Sequence, residues 1–190
     1  MDCLKKEEAQ RRARAPEQLV WSELADRCDT ESALSAFFRQ RQPSISGQPE
    51  LKIASATKIM NATRLRTFAR GSTFSFNPID AERAGDTLLF HGCPQDAVAN
   101  IQAEGLSMRF AAQGMLGKGL YGAPDPRKSL GYCQKNGSGS HGNFMFVCRF
   151  NLSSQMAHAG PSTPHRNSLF DEYCVYNNEH AVILWMIKLQ

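Results

Sequence analysis

The sequence lacks a long apolar segment. No run approaches the roughly 20 apolar residues that a helix needs to span a bilayer. The first residues, MDCLKKEEAQRRARAPEQ, carry charges where a secretory signal needs an apolar core. We therefore expect an intracellular protein, cytoplasmic or nuclear, that has no membrane partner.

Cysteines at metal-binding or disulfide-forming spacings are also missing. The six cysteines include no C-x-x-C pair, and without a secretory signal free thiols are favoured over a disulfide framework. Cys133, His141 and Cys148 follow no usual spacing of a closed zinc site. The sequence thus predicts reduced cysteines and no metal site.

A strong excess of charge of one sign is absent too. The net charge is +4 over 190 residues, far from the basic footprint of a dedicated nucleic-acid binder, so a nucleic-acid partner has only thin support. The hydrophobic fraction of 42% and the charged fraction of 21% are typical of a soluble globular protein. The length suits one domain with an N-terminal appendage.

Composition divides the chain near residue 45. Residues 1–45 contain a charged run at helical spacing and then amphipathic segments, of which the last runs from Thr30 to Arg41. Residues 42–49, QPSISGQP, have the composition of a linker. We therefore predict a helical N-terminal extension over 1–45 and the main domain over 46–190.

Local signals place three helices in the main domain. Asn61 is a typical N-cap before a helix over Ala62–Arg70. A second helix runs from about Pro94 to Glu104 and is ended by Gly105. A third covers Asp125–Cys133, after a glycine-rich loop and a short strand.

Strands dominate the last third of the sequence. Residues 144–152 alternate apolar side chains on one face, and residues 181–189 are apolar on both faces, which is typical of a central strand. Between them, residues 153–168 are polar and rich in Gly and Pro, which predicts one long loop before a strand over Glu172–Tyr176. Strand runs without regular βαβ alternation predict an α+β fold with mostly antiparallel sheet.

Several motifs occur in a fixed order along this domain. They are Ile59-Met60-Asn61-Ala62, Leu89-Phe90-His91-Gly92, Gly117-Lys118-Gly119-Leu120-Tyr121, Lys128-Ser129…Tyr132-Cys133 and Asp171-Glu172-Tyr173-Cys174-Val175-Tyr176. Together they resemble the catalytic domain of the poly(ADP-ribose) polymerase family. The resemblance implies an ADP-ribosyltransferase fold, in which two mostly antiparallel sheets pack together with flanking helices.

The resemblance also implies a substrate and a catalytic triad. The substrate is NAD, and no metal takes part. The family's His-Tyr-Glu triad falls on His91, Tyr121 and Glu172. His91 is expected to hydrogen-bond the adenine-side ribose, and Glu172 the 2′-hydroxyl of the nicotinamide-side ribose.

The nicotinamide end of NAD is assigned in the same way. The resemblance places the ring between Tyr121 and Tyr132, and the carboxamide on the backbone of Gly92 and the hydroxyl of Ser129. Two aromatic faces suit a flat pyridinium, since π-faces attract cations. A glycine at position 92 lets the backbone approach the amide closely.

The expected activity is transfer of one or a few ADP-ribose units from NAD to a protein acceptor, the protein itself included. Ser107 stands where polymerase members often have a basic residue near the adenosine, and Arg109 is a candidate substitute. The short loop 153–168 flanks the acceptor in this family, and both departures disfavour long-chain synthesis.

Three alternatives stay open at this point. One is a polymerase, because Glu172 and Met115 are compatible with elongation. Another is a catalytically silent NAD-binding or interaction module. The last is modification of nucleic-acid ends.

Overall fold

The structure is a computed structural model that describes residues 30–59, 61–71, 86–133, 143–152, 156–161 and 169–190. In these ranges the α-helices are α1 Glu31–Gln40, α2 Ala62–Gly71, α3 Val98–Glu104 and α4 Pro126–Cys133. Short 3-10 turns occur at Gln95–Ala97, Met108–Phe110 and Asn178–His180. None of the described helices combines the length and the apolar character that a bilayer-spanning segment needs.

The strands of the described ranges form three sheets. The largest has the order β1-β9-β6-β2 and consists of β1 Ile53–Lys58, β2 Asp86–Gly92, β6 Phe144–Asn151 and β9 Ala181–Leu189. The second has the order β5-β8-β7 and consists of β5 Leu120–Gly122, β7 Met156–Ala159 and β8 Glu172–Val175. A small hairpin joins β3 Gln113–Gly114 to β4 Gly117–Lys118. The pairings are antiparallel, so the predicted α+β fold with mostly antiparallel sheet is confirmed.

Helix α1 is part of the main core. Thr30 caps it, since its hydroxyl accepts a hydrogen bond from the Ala33 amide at 3.1 Å. The rings of Phe37 and Phe38 contact Phe90 of β2, with centroids 5.6 Å and 5.4 Å apart. The predicted helix over 30–41 is therefore present. Residues 1–29 lie outside the described ranges, so the division of the chain at residue 45 stays a prediction.

Helix α2 fixes the end of α3. Asn61 caps α2 as predicted, because its Oδ1 accepts from the Arg64 amide at 3.0 Å. Its Nδ2 also donates to the Ala103 carbonyl at 3.0 Å. Arg64 Nε donates to the Glu104 carbonyl. Gly105 then ends α3 at a φ of 78°, a conformation that favours glycine.

Two apolar cores lie on opposite sides of the four-stranded sheet. The predicted alternation in β6 is present, and it places Phe146, Cys148 and Phe150 in the core beneath the three-stranded sheet. The other face of β6 is buried too, since Met145 and Val147 pack into the core under α1 and α2. β9 is an interior strand, as its continuous apolar run predicted.

The prediction of one long loop over residues 153–168 was wrong for its first half, while residues 153–155 and 162–168 lie outside the described ranges. Residues Met156–Ala159 form β7, which pairs antiparallel with β8. His158 stacks on Tyr173 with ring centroids 4.4 Å apart, and its Nε2 donates to the Asp171 carboxylate at 2.9 Å. The segment MAHA has little strand propensity, so its pairing depends on contacts with β8 that the local sequence does not reveal.

Candidate active site

A cavity of about 660 Å³ opens between α3, the loop that follows it, and the ends of β2, β5 and β8. This volume is in the range of small-molecule sites. Six residues that the resemblance singled out all line it: His91, Gly92, Tyr121, Ser129, Tyr132 and Glu172. The fold thus brings together side chains as distant in the sequence as His91 and Glu172.

At one end of the cavity, α4 lies very close to the end of β2. A Cβ at position 92 would fall well under 3.0 Å from the Ser129 carbonyl oxygen, so this approach requires glycine. The Ser129 hydroxyl donates to the Phe90 carbonyl at 2.8 Å. Its oxygen keeps lone pairs for a ligand donor. The Gly92–Ser129 contact is therefore a narrow polar cradle.

Glu172 is almost fully buried at the floor of the cavity, with 2% of its surface exposed. Tyr132 Oη donates to its Oε1 at 2.8 Å, and Lys128 Nζ lies 3.7 Å from its Oε2. Burial, followed by the contact with the Glu172 carboxylate, raises the pKa of Tyr132 and keeps the phenol protonated. Among the described residues, one hydrogen bond and one ion pair thus hold the carboxylate.

The Tyr121 ring is fixed by the β3–β4 hairpin. Its hydroxyl donates to the Gly117 carbonyl at 2.6 Å and accepts from the Leu116 amide at 2.9 Å. A Cβ at Gly114 would collide with this ring. Burial raises the pKa of Tyr121, so the phenol is neutral at pH 7 and presents a rigid aromatic wall.

His91 has a defined tautomer. Its Nδ1 lies 2.8 Å from the Tyr121 carbonyl oxygen, and because a carbonyl only accepts, Nδ1 carries the proton. Burial lowers the pKa of His91, and this effect outweighs the hydrogen bond to Tyr121, which raises it. The imidazole is therefore neutral at pH 7, and Nε2 is an acceptor.

The structure does not support the expectation that Arg109 supplies the basic group that is missing at Ser107. Ser107 lines the cavity, and its hydroxyl accepts from the Arg109 amide at 3.3 Å. The Arg109 guanidinium instead lies over the Phe110 ring, 5.2 Å from its centroid. Arg109 is not among the residues that line the cavity.

Cys93 lines the cavity but is not suited to be a nucleophile. Burial, with smaller effects of Cys133 and Asp96, raises its pKa to about 12. Since the thiolate is the reactive form, a thiol with this pKa is inert at neutral pH.

Sequence reasoning missed three charged residues of the site. Lys128 contacts Glu172, while Asp96 and Glu104 line the cavity along α3 and the turn before it. Helical spacing was a signal for Lys128, because residues 128 and 132 are i and i+4 and share a face. No comparable signal existed for Asp96 and Glu104, because only the position of the cavity shows that this side of α3 belongs to the site.

Comparison with protein families adds a sequence relationship to this geometry. A sequence model described as the poly(ADP-ribose) polymerase catalytic domain matches residues 34–168, more than half of the chain. The chain belongs to the poly(ADP-ribose) polymerase family. In this family the catalytic domain transfers ADP-ribose from NAD. A search of curated proteins gave no significant match.

The matched range includes α1 from residue 34, which agrees with the packing of that helix in the core. It also includes five of the six residues that the resemblance singled out. It ends before Glu172, so the argument for that residue depends on its position in the cavity.

Proposed function

We propose that this domain cleaves NAD at the bond between nicotinamide and ribose and transfers one or a few ADP-ribose units to a protein acceptor. The observation that carries the proposal is the buried Glu172 carboxylate, which faces the same cavity as the Gly92–Ser129 cradle. A carboxylate at the reacting ribose and a cradle for the leaving group are the two parts that this reaction needs.

Nicotinamide fits the end of the cavity formed by β2 and α4. The carboxamide can accept a hydrogen bond from the Gly92 backbone and donate one to the Ser129 hydroxyl oxygen. The rings of Tyr121 and Tyr132 offer aromatic faces to a flat cationic pyridinium. Both phenols are neutral, so the rings do not bring a formal charge next to the leaving group.

Glu172 supplies the charge that the transition state requires. Loss of nicotinamide develops positive, oxocarbenium-like charge on the ribose, as in glycoside hydrolysis. A carboxylate anchored on the neighbouring 2′-hydroxyl stabilises this charge. Tyr132 and Lys128 hold that carboxylate in place, so little reorganisation is needed when the charge appears.

His91 is assigned to the adenine-side ribose. Its Nε2 is an acceptor, because Nδ1 is committed to the Tyr121 carbonyl. A ribose hydroxyl can donate to this nitrogen without a change of protonation state. The lowered pKa of His91 supports this role, since a protonated ring would lose the acceptor.

Short products are expected because elongation needs a second ADP-ribose held by its pyrophosphate near the catalytic carboxylate. In the described ranges, the basic side chain that contacts Glu172 is Lys128, and it is already engaged in that ion pair. The acceptor is a protein side chain, and the protein itself is one candidate acceptor.

The test is incubation with biotin-labelled NAD, alone and with a mixture of proteins or an oligonucleotide. We expect discrete labelled protein bands from the wild type. Glu172→Ala should label at least about a hundredfold less, the factor that follows loss of one transition-state contact, while still binding NAD. Glu179→Ala is the matched control, because Glu179 lies outside the cavity lining.

Each alternative gives a different pattern in this assay. A smear of long chains that a glycohydrolase degrades would identify a polymerase. Label on the oligonucleotide would identify a nucleic-acid modifier. Binding of NAD without any labelled product would identify a silent module and contradict the proposal, as would a Glu172→Ala variant that keeps more than about a tenth of the wild-type rate.

A further inference from the structure

The charged side chains that line the cavity in the described ranges are acidic. Three carboxylates line it, from Asp96, Glu104 and Glu172. Within the described part of the chain, no Lys or Arg is among the lining residues. NAD carries two phosphate charges, so a lining whose charged side chains in the described ranges are all acidic constrains which nucleotides can enter.

Asp96 and Glu104 lie on the wall formed by α3 and the turn before it. Asn100, Ile101 and Glu104 line the cavity at i, i+1 and i+4, which defines one face of the helix. If nicotinamide occupies the Gly92–Ser129 cradle, as proposed above, the adenosine half extends along this face. The two acids are then next to the adenosine rather than next to the reacting bond.

Within the described ranges, neither carboxylate has an ion-pair partner. Both residues are exposed, and within the described ranges no ion pair or side-chain hydrogen bond involves either carboxylate. Arg64 approaches this helix end, where its Nε donates to the main-chain carbonyl of Glu104. The charge of each carboxylate is therefore available to act on a ligand.

The position of Glu104 in its helix also indicates a role in ligand binding. It is the last residue of α3, where the helix dipole disfavours an acid and favours a base. Asp96, by contrast, lies in the first turn of its segment, where an acid also stabilises the helix. Helix stability thus explains Asp96 but not Glu104.

We infer that Asp96 and Glu104 are specificity-determining residues that select NAD against dinucleotides with an additional phosphate on the adenosine, such as NADP. This inference rests on the proposed function. A 2′-phosphate adds between one and two negative charges at pH 7, and both acids repel it. Neutral groups at these positions would leave the shape of the cavity unchanged and remove the repulsion.

The experiment compares kcat/KM for NAD and NADP by release of nicotinamide. The variants are Asp96→Asn, Glu104→Gln and the double variant, at low and at high ionic strength. We expect the wild type to prefer NAD by about tenfold or more at low ionic strength, and less at high ionic strength, because exposed charges are screened. The double variant should lower this preference by at least about threefold.

Two controls separate charge from structure. Glu104→Asp keeps the charge and should keep the preference. Glu31→Gln removes an exposed acid on α1, outside the cavity lining, and should leave the ratio as in the wild type.

The inference is overturned if the wild type uses both dinucleotides equally well, or if the double variant keeps the full preference. Failure of the proposed function looks different, because neither dinucleotide would be cleaved. In that case thermal shifts with ADP-ribose and its 2′-phosphate decide the inference: a smaller wild-type shift with the 2′-phosphate that recovers in the double variant supports it, and equal shifts overturn it.

Discussion

The Tyr132 hydroxyl donates a hydrogen bond of 2.8 Å to Glu172 Oε1, across 40 positions of the sequence. Tyr132 therefore has two separable parts in the proposed reaction. Its ring forms a wall for nicotinamide, while its hydroxyl orients the carboxylate that acts on the ribose.

Tyr132→Phe should separate these two parts. The ring is kept, so a nicotinamide-mimicking benzamide should still raise the melting temperature. The carboxylate loses its hydrogen-bond donor, and hydrogen bonds to charged groups are worth about 1.5–3 kcal/mol, so kcat should fall by about tenfold or more. Tyr132→Ala should remove most of the benzamide shift as well. An unchanged benzamide shift in Tyr132→Ala would mean that nicotinamide binds elsewhere.

Lys128 holds the other oxygen of the same carboxylate, at 3.7 Å from Oε2. Lys128→Met keeps the length of the side chain and removes the charge, so Glu172 loses an ion-pair partner in a largely buried site. We expect kcat to fall by about tenfold, while Lys128→Arg retains most of it. Lys52→Met, at an exposed position outside the cavity, is the control and should have the wild-type rate. Equal rates for Lys128→Met and the wild type would show that the ion pair is not used.

Much of the fold was predictable because its signals are local. Thr30 and Asn61 have the side chains that cap helices, and Gly105 has the freedom that the end of α3 requires. The uninterrupted apolar run of β9 identified an interior strand. Each of these features depends on residues within a few positions of one another.

The features that were missed depend on distant contacts. β7 forms because it pairs with β8, and the sequence of Met156–Ala159 alone does not indicate a strand. The contacts of Asn61 and Arg64 with the end of α3 join segments about 40 positions apart, and so does the Tyr132–Glu172 hydrogen bond. The candidate site residues were selected by ordered motifs, while their hydrogen bonds came only from the structure.

The protonation state of His91 predicts a pH effect on stability. Burial lowers its pKa from the ordinary value of 6.5. Between that lowered value and 6.5, the unfolded chain binds a proton that the folded chain does not, so stability rises with pH across this window and is lost on acidification. His91→Asn keeps a donor near the Tyr121 carbonyl and removes the titration. The melting temperature of the wild type should therefore fall more steeply than that of the variant as the pH is lowered below 6.5.

The difference between the two melting curves isolates His91, because the other titrating groups are common to both proteins. Identical slopes would contradict the lowered pKa. A steeper slope for the variant would mean that folding raises the pKa of His91 instead of lowering it.

Two glycines, one at the end of β2 and one on α4, give a matched pair of variants. A Cβ at Gly92 would overlap the Ser129 carbonyl group, which is backbone and cannot move aside as the end of a flexible side chain can. Gly131 lies on α4, two residues beyond Ser129, and a Cβ there would meet nothing within 4 Å. The two substitutions to alanine add the same group, at positions with opposite steric demands.

We expect Gly92→Ala to force α4 away from β2 and carry Ser129 and Tyr132 out of position. Overpacking of this kind typically costs about 1–3 kcal/mol, so the melting temperature should fall and the benzamide shift should disappear. Gly131→Ala should raise the melting temperature slightly, because alanine is favoured over glycine in a helix by about 1 kcal/mol, and should keep the full shift. Thermal shift measurements with and without benzamide test both at once. A Gly92→Ala protein that still binds benzamide like the wild type would mean that the close approach of α4 to β2 does not form the nicotinamide site.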